Sequence, residues 1–138
     1  MDVLEAIRTR RTIAKFRPEP IPAETLTEIL AAGTWAPNHH LTEPWRFIIL
    51  GPETQRLLAA RFGELKVQKA PTEAAEQRER IRAENERMFL NLPAVVAVAA
   101  LQEGNEQRRR GGYAAGCCAG QNVQLARRAG GIGMKWST

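Results

Sequence analysis

The amino-acid sequence predicts one domain of mixed helix and strand, α/β or α+β, on three observations. Helix-period apolar patterns alternate with only a few strand-sized runs. At 138 residues the chain is sized for a single modest core. Its 43% hydrophobic and 25% charged content is that of a globular chain rather than a disordered one.

Each element follows from local pattern. Val3, Leu4 and Ile7 share one helical face, giving a short first helix that ends near Arg10. Pro18, Pro20 and Pro22 force an extended connector over Phe16–Pro22. Pro22 suits the first turn of a second helix with Leu26, Ile29, Leu30 and Gly33 facing inward, and this helix stops before Pro37. After the loop APNHHLTEP, the run WRFIIL (Trp45–Leu50) is rich in aromatic and β-branched residues and reads as a strand broken by Gly51-Pro52. A helix over Glu53–Lys66 is patterned by Leu57, Leu58 and Phe62, and a long charged helix runs from about Thr72 to Leu90.

Ala94–Leu101 is continuously apolar and reads as a buried strand. Gly112–Ala129 is helical in composition and crowded with small residues, as suits a central helix approached closely by its neighbours. Gly130-Gly131 ends it, and Ile132–Ser137 is expected to begin another strand. No turn, cap or polar tail follows that strand before Thr138, so the sequence reads as a fragment of a longer domain.

Composition narrows the function classes. No run approaches the roughly 20 apolar residues of a membrane-spanning helix, and the opening MDVLEAIR fits neither a signal nor a transit peptide, so a cytoplasmic location is expected. The net charge is +5, but much of the arginine in EAAEQRERIRAENER is interleaved with glutamate. The spacings Glu76–Arg80, Arg80–Glu84 and Arg82–Glu86 describe a solvated helix face rather than a nucleic-acid track. Arg108–Arg110, the one unrelieved basic run, reads as a solvated loop or helix start. Cys117 and Cys118 are adjacent, lack a metal-ligand pattern, and read as buried thiols of a small-residue helix.

Three segments carry candidate chemistry. Arg10-Arg11-Thr12 offers two guanidiniums and a hydroxyl to an anion, but taken alone it reads more readily as a basic helix end favoured by the helix dipole. Trp35 to Trp45 places two Trp and two His in a Pro-bounded loop, flat faces and edge donors suited to a planar heterocycle. His39-His40 lacks the Asp or Cys partners a metal site would need. Gly130–Thr138 (GGIGMKWST) fails as a dinucleotide fingerprint but allows a close backbone approach, followed by Trp136, Ser137 and Thr138 as ligand contacts. Neither a nucleophile elbow nor a P-loop is present.

Together these segments resemble the FMN-dependent nitroreductases. The opening MDVLEAIRTRRTIAKFRPEPIP, the loop and strand WAPNHHLTEPWRFIIL, and AAGCCAGQNVQLARRAGGIGMKW match the family's ordered motifs over nearly the whole chain, most weakly between Gly51 and Leu92. The resemblance is to the compact bacterial NAD(P)H nitroreductase subgroup. It implies an α+β fold with a central, mostly antiparallel sheet flanked by helices. It also implies a homodimer with FMN at the subunit interface, and ping-pong hydride transfer from NAD(P)H through the flavin N5 to a nitroaromatic, quinone or similar small-molecule acceptor.

Carried over by position, Arg10, Arg11 and Thr12 would hold the FMN phosphate, ribityl chain or ring edge. Trp35 and His39 would reach the cofactor of the other subunit, and Trp136, Ser137 and Thr138 would run beside it. The resemblance implies no covalent catalytic residue, no metal and no nucleic-acid partner. Leu41 stands where many members have Asn, and Glu43 replaces the usual Gln. Family members continue beyond the position of Thr138, adding a strand and a basic phosphate contact. A flavin-binding module without turnover is the alternative.

Overall fold

The structure, a computed structural model, describes residues 1–137; Thr138, one of the cofactor candidates, lies outside the described residues. The elements in chain order are α1 (Val3–Thr9), α2 (Ala23–Gly33), a 3-10 turn at His39–Leu41, β1 (Trp45–Ile49), α3 (Pro52–Gln68), α4 (Ala75–Leu90), β2 (Val96–Ala100) and α5 (Glu106–Ala129). The backbone contacts group them into two compact units.

The first unit comprises Met1–Phe16, Ile21–Ile48 and Val96–Thr138. Its centre is α5, against which α1, α2 and β2 pack. Asn105 caps α5 by accepting from the Arg108 N–H, which starts the helix at Glu106 rather than at Gly112 and turns the Arg108–Arg110 run into its first turns. The small residues read from the sequence do bring neighbours close. A Cβ on Gly112 would meet the Leu101 carbonyl at 3.1 Å, and one on Gly116 would meet the Ala100 Cβ at 3.1 Å.

Ile29, Leu30 and Gly33 of α2 are buried as expected, packing with Val123 of α5. Trp45 fills the adjoining cluster with Ala36, Ala115 and Ala119. β1 and β2 form a two-stranded antiparallel ladder. Leu101 N–H donates to the Pro44 carbonyl at one end and Leu50 N–H to the Val95 carbonyl at the other.

The short first helix stands as read, with Val3, Leu4 and Ile7 on one face; that face is exposed, and only Ala6 of α1 is buried. Three expectations change here. β2 alternates half-buried and exposed residues instead of being buried throughout, because a two-stranded ladder covered by α5 leaves its other face open. Ile132–Ser137 is not a strand: its backbone hydrogen bonds among the described residues are isolated ones, the Ile132 N–H to the Arg127 carbonyl and the Ile13 N–H to the Met134 carbonyl, with no ladder. Cys117 and Cys118 are free and exposed, pointing away from the faces of α5 that the chain itself covers.

The second unit, Arg17–Pro20 with Ile49–Val95, is a helical hairpin of α3 and α4. Pro52 sits at the first helical position, so the Gly51-Pro52 break begins the helix directly. The buried face of α3 is Ala59, Gly63 and Val67 rather than Leu57 and Leu58, which are exposed. Gly63 lets the aliphatic stems of Glu86 and Arg82 lie on it, with a would-be Cβ 2.8 Å from the Glu86 Cγ. Gln55 ties the hairpin together by donating to the carbonyls of Phe89 and Leu92, both at 3.1 Å. On α4, Arg80 pairs with Glu84 as spaced, whereas Arg82 pairs backwards with Glu79.

Candidate functional site

The site grows from the end of α1. Arg10 caps that helix in an extended conformation (φ −57°, ψ 127°), and the following residues run beside the turn that leaves α5. The Ile13 N–H donates to the Met134 carbonyl at 3.1 Å. The approach is close, because a Cβ on Gly133 would stand 3.2 Å from the Ile13 side chain. The turn itself needs glycine at Gly131, whose φ of +74° lies in the left-handed region. Beyond the turn, Trp136 lays its ring over Gly120 of α5.

Five cationic or hydroxyl side chains meet at this junction. Arg10 Nη1 donates to Gln124 Oε1 at 3.4 Å, and Arg11 Nη1 to the carbonyls of Arg8 and Arg10, each at 2.8 Å. Arg128 Nε donates to Thr9 Oγ1 at 3.0 Å. Arg127 is only 3% exposed and reaches two separate segments: Nη1 donates to the Ile132 carbonyl at 3.1 Å and Nη2 to the Arg11 carbonyl at 3.0 Å. Its Nε is buried without a partner. Burial, and behind it the like charges of Arg10 and Arg128, pull the Arg127 guanidinium down from the ordinary arginine value. Arginine's pKa is nonetheless so high that the group stays protonated.

Among the described residues, none of Arg10, Arg11, Arg127 and Arg128 pairs with a carboxylate. All four meet only neutral oxygens. A hollow of about 270 Å3 opens beside them, lined by Thr9, Arg11, Ile13, Arg127, Arg128 and the glycine turn. Of the four, Arg11, Arg127 and Arg128 line the hollow, and guanidiniums without carboxylate partners have the chemistry to receive an anion of high charge density, such as a phosphate ester.

Of the residues singled out from the sequence, the structure brings Arg10, Arg11 and Thr12 alongside the segment that carries Trp136 and Ser137. It does not bring Trp35 or His39 to them. Trp35 follows α2 and is 86% exposed; His39 opens the 3-10 turn, its ring 4.0 Å from that of His40. No hydrogen bond joins either residue to Arg10–Thr12 among the described residues. Their loop is strained: His40, Leu41 and Glu43 all have positive φ, at 57°, 55° and 40°. Asn38 Oδ1 holds it by accepting from the Glu43 N–H at 2.9 Å. Arg127, Arg128 and Thr9 were not legible as site residues. The RR pair at the end of α5 was the one available signal, and it reads as ordinary helix-end charge.

Residues 7–138 match the nitroreductase family along almost the whole chain.

The chain belongs to the nitroreductase family.

YfhC of Bacillus subtilis, provisionally named an NAD(P)H nitroreductase, is 33% identical over 135 residues, which cover 97% of this chain and 68% of YfhC. YdjA of Escherichia coli K12, named in the same provisional way, is 32% identical over 139 aligned positions, covering 99% of this chain and 72% of YdjA. Among solved structures, a nitroreductase-like family protein of Bacillus cereus superposes with a TM-score of 0.79 at 26% identity, over all of this chain and 70% of that one. A nitroreductase of Bacteroides fragilis solved with bound FMN gives a TM-score of 0.67 at 26% identity, over 96% of this chain and 67% of that one. The α+β, nitroreductase-like fold expected from the sequence is therefore the fold of this nitroreductase-family chain.

Proposed function

We propose that this nitroreductase-family chain is an FMN-dependent oxidoreductase, passing hydride from NADH or NADPH to a nitroaromatic, quinone or similar acceptor by a ping-pong sequence, as a cytoplasmic homodimer. The carrying observation is the cluster of guanidiniums, unpaired with any described carboxylate, where the Arg10–Ile13 segment meets the turn after α5. The residues present fit FMN. Its phosphate needs cations that are not already neutralised, and its ring needs a flat apolar neighbour of the kind Trp136 offers. Bound there, FMN would supply two-electron redox chemistry.

The chain's own residues bind and orient. Arg10 and Arg11 hold the phosphate end by charge-assisted hydrogen bonds, and the exposed Thr12 hydroxyl adds a neutral one. Trp136 and Ser137 run along the ring side. Trp35 and His39, which do not reach the Arg10–Thr12 segment of their own chain, complete the site of the second protomer. The apolar face of α1 and the exposed Tyr113, Cys117 and Cys118 on α5 support such a pairing, because a second copy would cover them. The FMN bound by the Bacteroides fragilis relative supports the choice of flavin.

Steady-state kinetics of the FMN-loaded protein test this. Parallel double-reciprocal lines are expected when NAD(P)H is varied against a quinone or nitroaromatic. Intersecting lines would contradict the ping-pong order. Bound flavin without NAD(P)H oxidation would replace the enzyme by a flavin-binding module.

A further inference from the structure

Arg127 is an expensive residue to place where it is. Its side chain is buried, it meets no carboxylate among the described residues, and Arg10 and Arg128 add like charge beside it. Burying a cation without a counter-ion destabilises a fold unless its hydrogen bonds do something a neutral side chain cannot. Here they span a gap. One guanidinium edge holds the Ile132 carbonyl, five residues on, in the glycine turn; the other holds the Arg11 carbonyl, 116 residues back in sequence. A planar fork with several fixed donors suits bridging two carbonyls in this way, whereas the single, shorter ammonium of a lysine would hold one of them well and the other poorly.

We propose that Arg127 is a positioning residue: its fork sets the spacing between the Arg10–Ile13 segment and the Gly131–Met134 turn, and through them the placement of Arg10 and Arg11 for a phosphate-bearing flavin. The link to flavin rests on the function proposed above. The link between the two segments does not. Arg127 acts through the Arg11 and Ile132 carbonyls, while Arg10 and Arg11 are the groups that would touch the ligand. Its fixed charge adds to the field at the hollow, so its effect falls more on the phosphate than on the isoalloxazine ring.

The test compares the parent protein with Arg127→Met and Arg127→Lys, each checked for folding by circular dichroism. The first measurement is amide exchange at Ile13, whose N–H is held by the Met134 carbonyl. Exchange there should be faster by about tenfold or more in Arg127→Met and intermediate in Arg127→Lys. The second is titration with FMN and with riboflavin, which lacks the phosphate. Arg127→Met should weaken FMN by about tenfold and riboflavin by less, narrowing the preference between them, and Arg127→Lys should restore part of it.

Unchanged Ile13 exchange in both variants would overturn the positioning role. Unchanged FMN-to-riboflavin preference, in variants whose Ile13 exchange does change, would overturn the consequence for phosphate. If the parent binds neither flavin while Ile13 exchange responds, the cofactor assignment fails and the clamp between the segments stands. Should Arg127→Met fail to fold, Arg127→Lys alone carries both readouts, with the same directions.

Discussion

Trp136 sits on Gly120 so closely that a Cβ at Gly120 would stand 2.5 Å from the indole Cζ3 and 2.6 Å from Cη2. The glycine on α5 is thus the floor on which the indole rests, and the pair fixes where the chain leaves the glycine turn. Gly120→Ala should displace the ring and destabilise the protein by about 1–3 kcal/mol. A thermal melt with near-ultraviolet circular dichroism of the indole checks it. An unaltered indole signal and Tm would show that the ring is not seated there.

The 3-10 turn carries a second measurable strain. Leu41 is 83% exposed with a φ of 55°, a conformation that costs a branched side chain and that Asn tolerates. Leu41→Asn is expected to raise stability by about 1 kcal/mol. Leu41→Gly should do at least as much for the folded backbone while adding unfolded-state entropy. Denaturant unfolding of the three proteins tests this; a loss of stability in Leu41→Asn would mean that Leu41 makes a contact the isolated chain does not show.

Among the described residues, Arg10 and Arg11 meet only neutral acceptors. Replacing either by Ala should therefore leave the fold intact and lower FMN affinity roughly tenfold. The loss should shrink as salt rises, because screening weakens the charge-assisted part. Fluorescence titration at two ionic strengths reads both effects. Equal affinity in parent and variants would return these residues to the role of a helix end.

The shared site has its own test. If Trp35 completes the site of the second protomer, Trp35→Ala and Arg11→Ala should each be poor FMN binders. A heterodimer of the two variants would then carry one intact site and one doubly damaged, so about half of the normal flavin should return. No recovery on mixing, with dimers confirmed by light scattering, would place Trp35 outside the site of its partner.

Much of this was legible in the residues, and the misses have physical causes. The buried face of α2 followed from the 3.6-residue spacing of Ile29, Leu30 and Gly33, and β1 from its aromatic and β-branched run. The face of α3 did not, because the hairpin packs through Ala59 and Gly63 under the stems of α4 and leaves Leu57 outside. The start of α5 was hidden by Arg108–Arg110, although Asn105 and Glu106 were a visible cap and first-turn acid. Arg10, Arg11 and Thr12 could be picked out as candidate anion ligands from residue type. Arg127 could not, since its partners are backbone carbonyls, which have no sequence signature.

The central claim, that FMN is held here and takes part in electron transfer from a nicotinamide, comes down to one anaerobic titration. The FMN-loaded protein, freed of unbound flavin, receives NADH or NADPH with no acceptor present. The account predicts that the oxidised flavin's visible absorbance bleaches as reductant is added and returns when a quinone or nitroaromatic is admitted. A protein that retains no flavin, or whose bound flavin keeps its oxidised spectrum under excess of both nicotinamides, would contradict it.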